Sequence, residues 1–380
     1  MSYNFEQLKN YFDTKIVGKM APGIDIAVIY KGEEVFRYTA GYADEENKIP
    51  LTPDHLFDIY SATKVITCTA GLIAVEQGLF LPGDPVSWYI PEINDLTYYK
   101  TETEIAKNDK VMVIQDLFCM SAGFDYDVGC KEIRDVVAKN PNATTEEVLK
   151  AFFTRPLRFR PKERYCYSMC HDVLALVIEK ASGMRFADFV KKYIFDPLGM
   201  KDAYFHIPES EKHRKSAKYT YNDQLKKYER RSSDNDYFVP TSNYDSGGAG
   251  VVTNLNEYSK IAYALTHGGV GKNGNKIISA QSIAHMRTNL LDEQRLKIYH
   301  NSSLNNPGYG YGYGVRVKME KGLTSNFASG EFGWDGAAGF MACFEPELDL
   351  AIIYAQHVLN PHNYENHNRI KNFVHLALFD

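Results

Sequence analysis

The sequence predicts a mixed α/β chain of the α+β kind, and three observations carry that expectation. Residues 24–43 and 331–357, near opposite ends of the chain, each read as β-rich runs around a tight turn, the pattern of an antiparallel hairpin. Several other segments place apolar residues at helical spacing. The length of 380 residues exceeds one compact core and falls short of three, so two lobes are expected, and interleaved segments can build them.

The elements follow in order. Residues 5–19 put Phe5, Leu8, Tyr11, Phe12 and Ile16 at helical spacing. IDIAVIY, the turn Lys31-Gly32 and EEVFRYTAGYA form the first hairpin. Asp58-Ile59-Tyr60-Ser61 leads into ATKVITCTAGLIAVEQGLF, a helix ended by Gly78. Residues 111–118 and 170–182 are further helical stretches, the second closing at Gly183. The polar, Lys/Arg-rich stretch 208–233 is expected to be a solvated hairpin or excursion, because no other basic cluster supports a nucleic-acid patch. Residues 307–317 start a strand, and 331–357 read as two β-rich runs around the turn Pro346–Asp349. A final helix is expected from about His367 to Phe379, and no internal repeat of period 20–50 occurs.

Composition excludes several function classes. An apolar share of 44% with 24% charged residues describes a globular chain, neither disordered nor fibrous. The 43 basic and 48 acidic residues give a net charge of −5, no footprint for nucleic acid or an anionic membrane. The N-terminal stretch has no basic segment followed by an apolar one, and no run of 18 apolar residues occurs, so a cytoplasmic protein without membrane contact is expected. Six scattered cysteines read as reduced thiols. Cys166, Cys170 and His171 lack a second ligand pair, so no metal and no cofactor is expected. Aromatics are unusual, with 27 Tyr and 21 Phe but 2 Trp. Tyrosine suits a wall that is apolar yet carries polar tips.

No G-x-S-x-G, phosphate loop or strand-turn-helix G-x-G-x-x-G is present. What remains is Ser61-Ala62-Thr63-Lys64 at the head of an apolar helix. A serine in the first turn lies near free backbone N–H groups and the positive end of the helix dipole, which favour a developing anion. Lysine three residues on lies on the same face, and buried beside apolar groups it would give up its proton more readily and could act as a base. The motif alone equally fits a serine N-cap with an exposed lysine. Two further elements point to chemistry: Tyr167, ahead of a helix, could relay a proton, and Trp334-Asp335-Gly336 opens onto the small residues Ala337, Ala338 and Gly339, which let a substrate approach strand N–H groups.

These elements, in this order, resemble the serine β-lactamase and penicillin-binding-protein-like superfamily, with the nearest likeness to class C β-lactamases and their esterase relatives. The likeness spans roughly residues 20–358 and includes PGIDIAVIYKGEEVFRYTAGYAD, DLFCMSAGF, YSMCHDVLALVIEKASG, IFDPLGM and GGAGVVTNLNEYSKIAYAL in family order. It implies a β-lactamase-like fold: an antiparallel sheet flanked by the terminal helices from residues 1–90 and 240–380, a mainly helical lobe from 91–239, and the site between them. By position Ser61 matches the nucleophile, Lys64 the lysine of S-x-x-K and Tyr167 the tyrosine of Y-x-N, with Lys64 and Tyr167 as a shared base. The implied oxyanion hole is the N–H groups of Ser61 and Ala337, and the implied mechanism runs through an acyl-enzyme.

Two departures matter. Met169 replaces the asparagine of Y-x-N, and Trp334 replaces the lysine of K-T-G, with Asp335 adding a negative charge beside it. Sites built to hold polar groups discriminate through them, by about 10⁴-fold where those groups are buried. Their replacement favours neutral acyl groups, hence a carboxylesterase acting on a small-molecule ester. An amidase, a D-amino-acid peptidase, a weak β-lactamase or a non-catalytic binding or sensor relative are the alternatives. Met169, Trp334, Asp335, Gly336, Tyr60 and Tyr126 are expected to line the substrate site. The wider aromatic wall is expected to include Tyr244, Tyr309, Tyr311 and Tyr313. The sequence leaves the oligomeric state open.

Overall fold

The computed structural model describes residues 3–231, 238–302, 307–319 and 330–379. Its frame is an eight-stranded antiparallel sheet whose strands, numbered here in chain order, are β1 (Gly23–Tyr30), β2 (Glu33–Asp44), β3 (Ile49–Pro50), β4 (Tyr309–Tyr311), β5 (Arg316–Lys318), β6 (Phe332–Asp335), β7 (Met341–Glu345) and β8 (Leu350–Ala355). The order across the sheet is β4-β5-β6-β7-β8-β1-β2-β3, so pairing of β8 with β1 joins the two ends of the chain.

Every residue of β1 and β8 is buried, which explains their near-continuous apolar sequence. The strand period of two divides them between two cores. Ile24, Ile26, Val28 and Tyr30, with Leu350, Ile352 and Tyr354, face the terminal helices α1 (Glu6–Tyr11) and α5 (Asn363–Phe379). Ala27 and Ile29, with Ala351, Ile353 and Ala355, face the larger core built on α2 (Thr63–Glu76), α3 (Cys170–Ser182) and α4 (Leu255–Thr266). Helix α2 is buried from Thr63 to Ala74 on all sides, which is why its apolar residues do not form a single stripe.

The structure departs from expectation in four places. The 331–357 run is three strands, because Gly336–Phe340 turns the chain back between β6 and β7. The helix expected at 111–118 is only Ile114–Phe118, since Val113 pairs in a β-bridge with Pro85. The C-terminal helix begins at Asn363, four residues early. The polar segment does form a hairpin, Tyr219–Asn222 against Lys227–Arg230, but Tyr219 and Tyr221 bury one face in the core of the terminal helices. Residues 232 and 233 of that segment lie outside the described residues. No described helix is long and apolar enough to cross a membrane.

Candidate active site

Tyr60 ends the approach from the short strand Phe57–Asp58 at φ 45°, a left-handed conformation rare for a bulky side chain. That turn delivers Ser61 to the head of α2. Ser61 is the one partly exposed residue between Leu56 and Ala74, so the chain that buries everything around it presents this hydroxyl. Its side chain caps no helix N–H, and Lys64 is wholly buried, so the reading as an N-cap serine with an exposed lysine is set aside.

Lys64 Nζ donates to Ser61 Oγ at 3.3 Å and to the Gly248 carbonyl at 2.6 Å. It also lies 4.7 Å from the centre of the Tyr167 ring and 5.2 Å from that of Tyr126. The expected apolar surroundings are therefore absent at the head group, which meets a carbonyl and two π faces, all attractive to a cation. The first turn of α2 is stitched to the segment Gly247–Val251: Thr67 Oγ1 donates to the Gly247 carbonyl at 2.7 Å and the Val251 N–H to Thr63 Oγ1 at 3.1 Å. Behind Lys64, His171 is pushed down to about 3 by burial and by the Lys64 ammonium, and burial pushes the Cys68 thiol well up.

Tyr167 stands just before α3, and its ring stacks on Trp334 of β6 at 5.6 Å and 27°. Trp334 Nε1 donates to the Tyr167 hydroxyl oxygen at 3.2 Å. Ring contacts continue in a line: Tyr60–Phe238 at 5.6 Å, Phe238–Tyr126 at 5.7 Å, Tyr126–Tyr167 at 5.4 Å and Trp334–Tyr311 at 5.2 Å. Phe238 escaped sequence reasoning, having no motif around it. Tyr309 and Tyr313 point elsewhere, Tyr309 lying under Lys318 and Lys371 and Tyr313 packing on Phe118, while Tyr244 is buried beside Asp172. Met169 does not reach an open surface. It is fully buried in the larger core, at the residue preceding α3.

Asp335 does not offer a free charge beside Trp334. Arg316 Nη1 approaches one of its carboxylate oxygens at 2.8 Å and His367 Nδ1 the other at 3.1 Å. Burial would raise this carboxyl, but Arg316 and His367 bring it well below the usual range. Gly336 serves close approach: a Cβ there would stand 2.3 Å from the Ile59 carbonyl oxygen, so β6 can lie against the Ser61 turn only with a bare Cα. The Ala337 N–H, beyond that turn, has no acceptor among the described residues. Such an N–H beside the Ser61 turn can receive a developing oxyanion.

Sequence reasoning missed Asp172, buried on α3, whose Oδ1 accepts from Ser246 Oγ at 2.8 Å. It also missed Arg316, which neutralises Asp335. Each looks like an ordinary polar residue in an apolar run until distant segments are brought together.

The geometry agrees with what known proteins resemble. A family model described as Beta-lactamase matches residues 12–376. Protein Rv1367c of Mycobacterium tuberculosis is 25% identical over 346 residues, covering 87% of this chain and 84% of the relative. Esterase EstB of Burkholderia gladioli is 28% identical over 214 residues, 54% of this chain and 53% of the esterase. The solved structure of EstCE1, a hydrolase with promiscuous acyltransferase activity, superposes with a TM-score of 0.80 at 20% identity, covering 97% of each chain. The fold is thus the β-lactamase-like one, with helices and an antiparallel sheet.

Proposed function

The chain belongs to the Beta-lactamase family, and from that premise we propose that it is a serine carboxylesterase acting on small neutral esters through an acyl-enzyme on Ser61. The observation that carries the reading is the partly exposed Ser61, its Oγ 3.3 Å from Lys64 Nζ, with the Tyr167 ring over the same ammonium. Ser61 Oγ attacks the ester carbonyl, and its proton passes to the Lys64/Tyr167 pair. The carbonyl oxygen becomes an oxyanion facing the Ser61 and Ala337 N–H groups. Collapse expels the alcohol, which takes the proton, and leaves the acyl group on Ser61. Water then attacks the acyl-enzyme as the same pair removes its proton, and collapse breaks the bond to Ser61 Oγ, which takes that proton back as the carboxylic acid leaves.

Preference for a neutral acyl group is supported by Trp334, an indole committed to Tyr167 where a cation would pair with a substrate carboxylate. Asp335, held by Arg316 and His367, does not supply a competing open charge. Esterase EstB among the relatives points the same way.

A panel of p-nitrophenyl acetate and butyrate, nitrocefin and D-Ala-D-Ala peptides tests the proposal. Turnover of the short esters with little nitrocefin hydrolysis is expected. Efficient cleavage of nitrocefin or of the peptides would overturn the specificity assigned to Trp334.

A further inference from the structure

A lysine and an aspartate, Lys64 and Asp172, are buried behind Ser61. Lys64 and Asp172 are 0% and 2% exposed, and among the described residues the partners they hydrogen-bond are neutral groups, Ser61, the Gly248 carbonyl and Ser246. Uncompensated charges at such depth are strongly unfavourable. The bare Cα of Gly248 lies between them: the position a Cβ would take there is 2.5 Å from Asp172 Oδ2 and 3.5 Å from Lys64 Nζ. The backbone around it grips both. Ser246 Oγ donates to Asp172 Oδ1 at 2.8 Å and itself accepts from the Ala249 N–H at 3.1 Å, while the Gly248 carbonyl accepts from Lys64 Nζ at 2.6 Å.

We infer that Asp172 is a positioning residue for Lys64: its carboxylate faces the ammonium across Gly248, holds the turn Ser246–Ala249, and so aims Nζ at Ser61 Oγ. The inference rests on the serine-hydrolase reading above. Burial raises the Asp172 carboxyl above its ordinary value, against the opposing pull of Lys64, Ser246, Tyr244 and the Gly248 N–H. Removing that carboxylate charge takes away the buried counter-charge that favours the protonated form of the base across Gly248.

Three titratable groups packed around the pair are displaced from their ordinary ranges. His171 on α3 is held at about 3, while Cys68 on α2 and Tyr244 beside Asp172 are pushed well up by burial. Tyr126 and Tyr167 present ring faces to the ammonium. A limb of the pH profile that moves when Asp172 alone loses its charge therefore reports the Lys64/Tyr167 pair.

The test is the pH dependence of kcat/KM for p-nitrophenyl butyrate in wild type and Asp172→Asn, with thermal melting as a check on folding. Expected are a roughly tenfold fall in kcat with KM held, and an acidic limb, where the Lys64/Tyr167 base takes up its proton, shifted to lower pH by about one unit, the lower end of what an opposite charge at 4–6 Å does. Should Asp172→Asn fail to fold, Ser246→Ala, which keeps the charge but removes its anchor, is expected to shift the limb in the same direction by less. An unmoved profile in the folded variant overturns the inference. Failure of the hydrolase reading looks different: wild type itself would not react with a fluorophosphonate at Ser61.

Discussion

Trp334 Nε1 donates to the Tyr167 hydroxyl oxygen at 3.2 Å while the two rings stack at 5.6 Å. The indole thus fixes both the plane of the phenol and one lone pair of its oxygen. Trp334 is 4% exposed, so its first task is to hold Tyr167, and its effect on specificity follows from the cation it replaces. Trp334→Phe keeps the ring and loses the donor. A net hydrogen bond of about 1 kcal/mol corresponds to roughly fivefold in kcat. Steady-state kinetics with p-nitrophenyl butyrate should show that loss without a matching rise in KM; unchanged kcat would contradict the assignment.

Direct substitution of the acid–base groups should cost more. Lys64→Ala and Tyr167→Phe are each expected to lower kcat at least about 10²-fold, the usual size of a lost proton-transfer group. Lys64→Ala also empties a fully buried position, so its urea midpoint should fall as well. Full activity in either variant would remove that residue from the mechanism.

Gly336→Ala tests the approach of β6 to the Ser61 turn. The new Cβ would stand 2.3 Å from the Ile59 oxygen and 3.1 Å from Phe340 Cβ. Overpacking of this kind costs about 1–3 kcal/mol. Urea denaturation should show that loss, together with reduced esterase activity as the Ala337 N–H moves away from Ser61. A variant as stable and active as wild type would mean the strand has room to yield.

His171 gives the chain a specific acid sensitivity. It is fully buried, its Nδ1 has no hydrogen-bond partner among the described residues, and burial and Lys64 push it down to about 3. The unfolded chain binds this proton near pH 6.5, so acidification between pH 6.5 and 3 favours unfolding; at pH 5 the loss is about 2 kcal/mol. His171→Gln, which retains a donor for the Phe118 carbonyl, should lose about that much less stability than wild type between pH 7 and pH 5 in urea melts. Equal losses would contradict the burial argument.

The hairpin 23–44 was legible from two β-rich runs around the turn Lys31-Gly32, and the buried helix from Thr63 from a long apolar run ended by Gly78. Ser61, Lys64, Tyr167 and Trp334, named from short motifs far apart in sequence, are brought together in the structure. The turn at Gly336–Phe340 was not legible, since Ala337-Ala338-Gly339-Phe340 is as apolar as the strands beside it. Met169 was read as lining the cleft from its motif position, yet the start of α3 turns it into the core. Asp172 could not be singled out because its partners Ser246 and Gly248 lie more than seventy residues away. The polar setting of Lys64 escaped for the same reason: the carbonyl and ring faces that meet it come from three separate segments.

The most direct measurement is mass analysis of the protein quenched in acid within its first turnovers of p-nitrophenyl butyrate. One butyryl group on the peptide containing Ser61 is expected in wild type, with neither adduct nor turnover in Ser61→Ala. Ester hydrolysis that persists in Ser61→Ala, or a butyryl group carried by a different residue, would contradict an acyl-enzyme on Ser61.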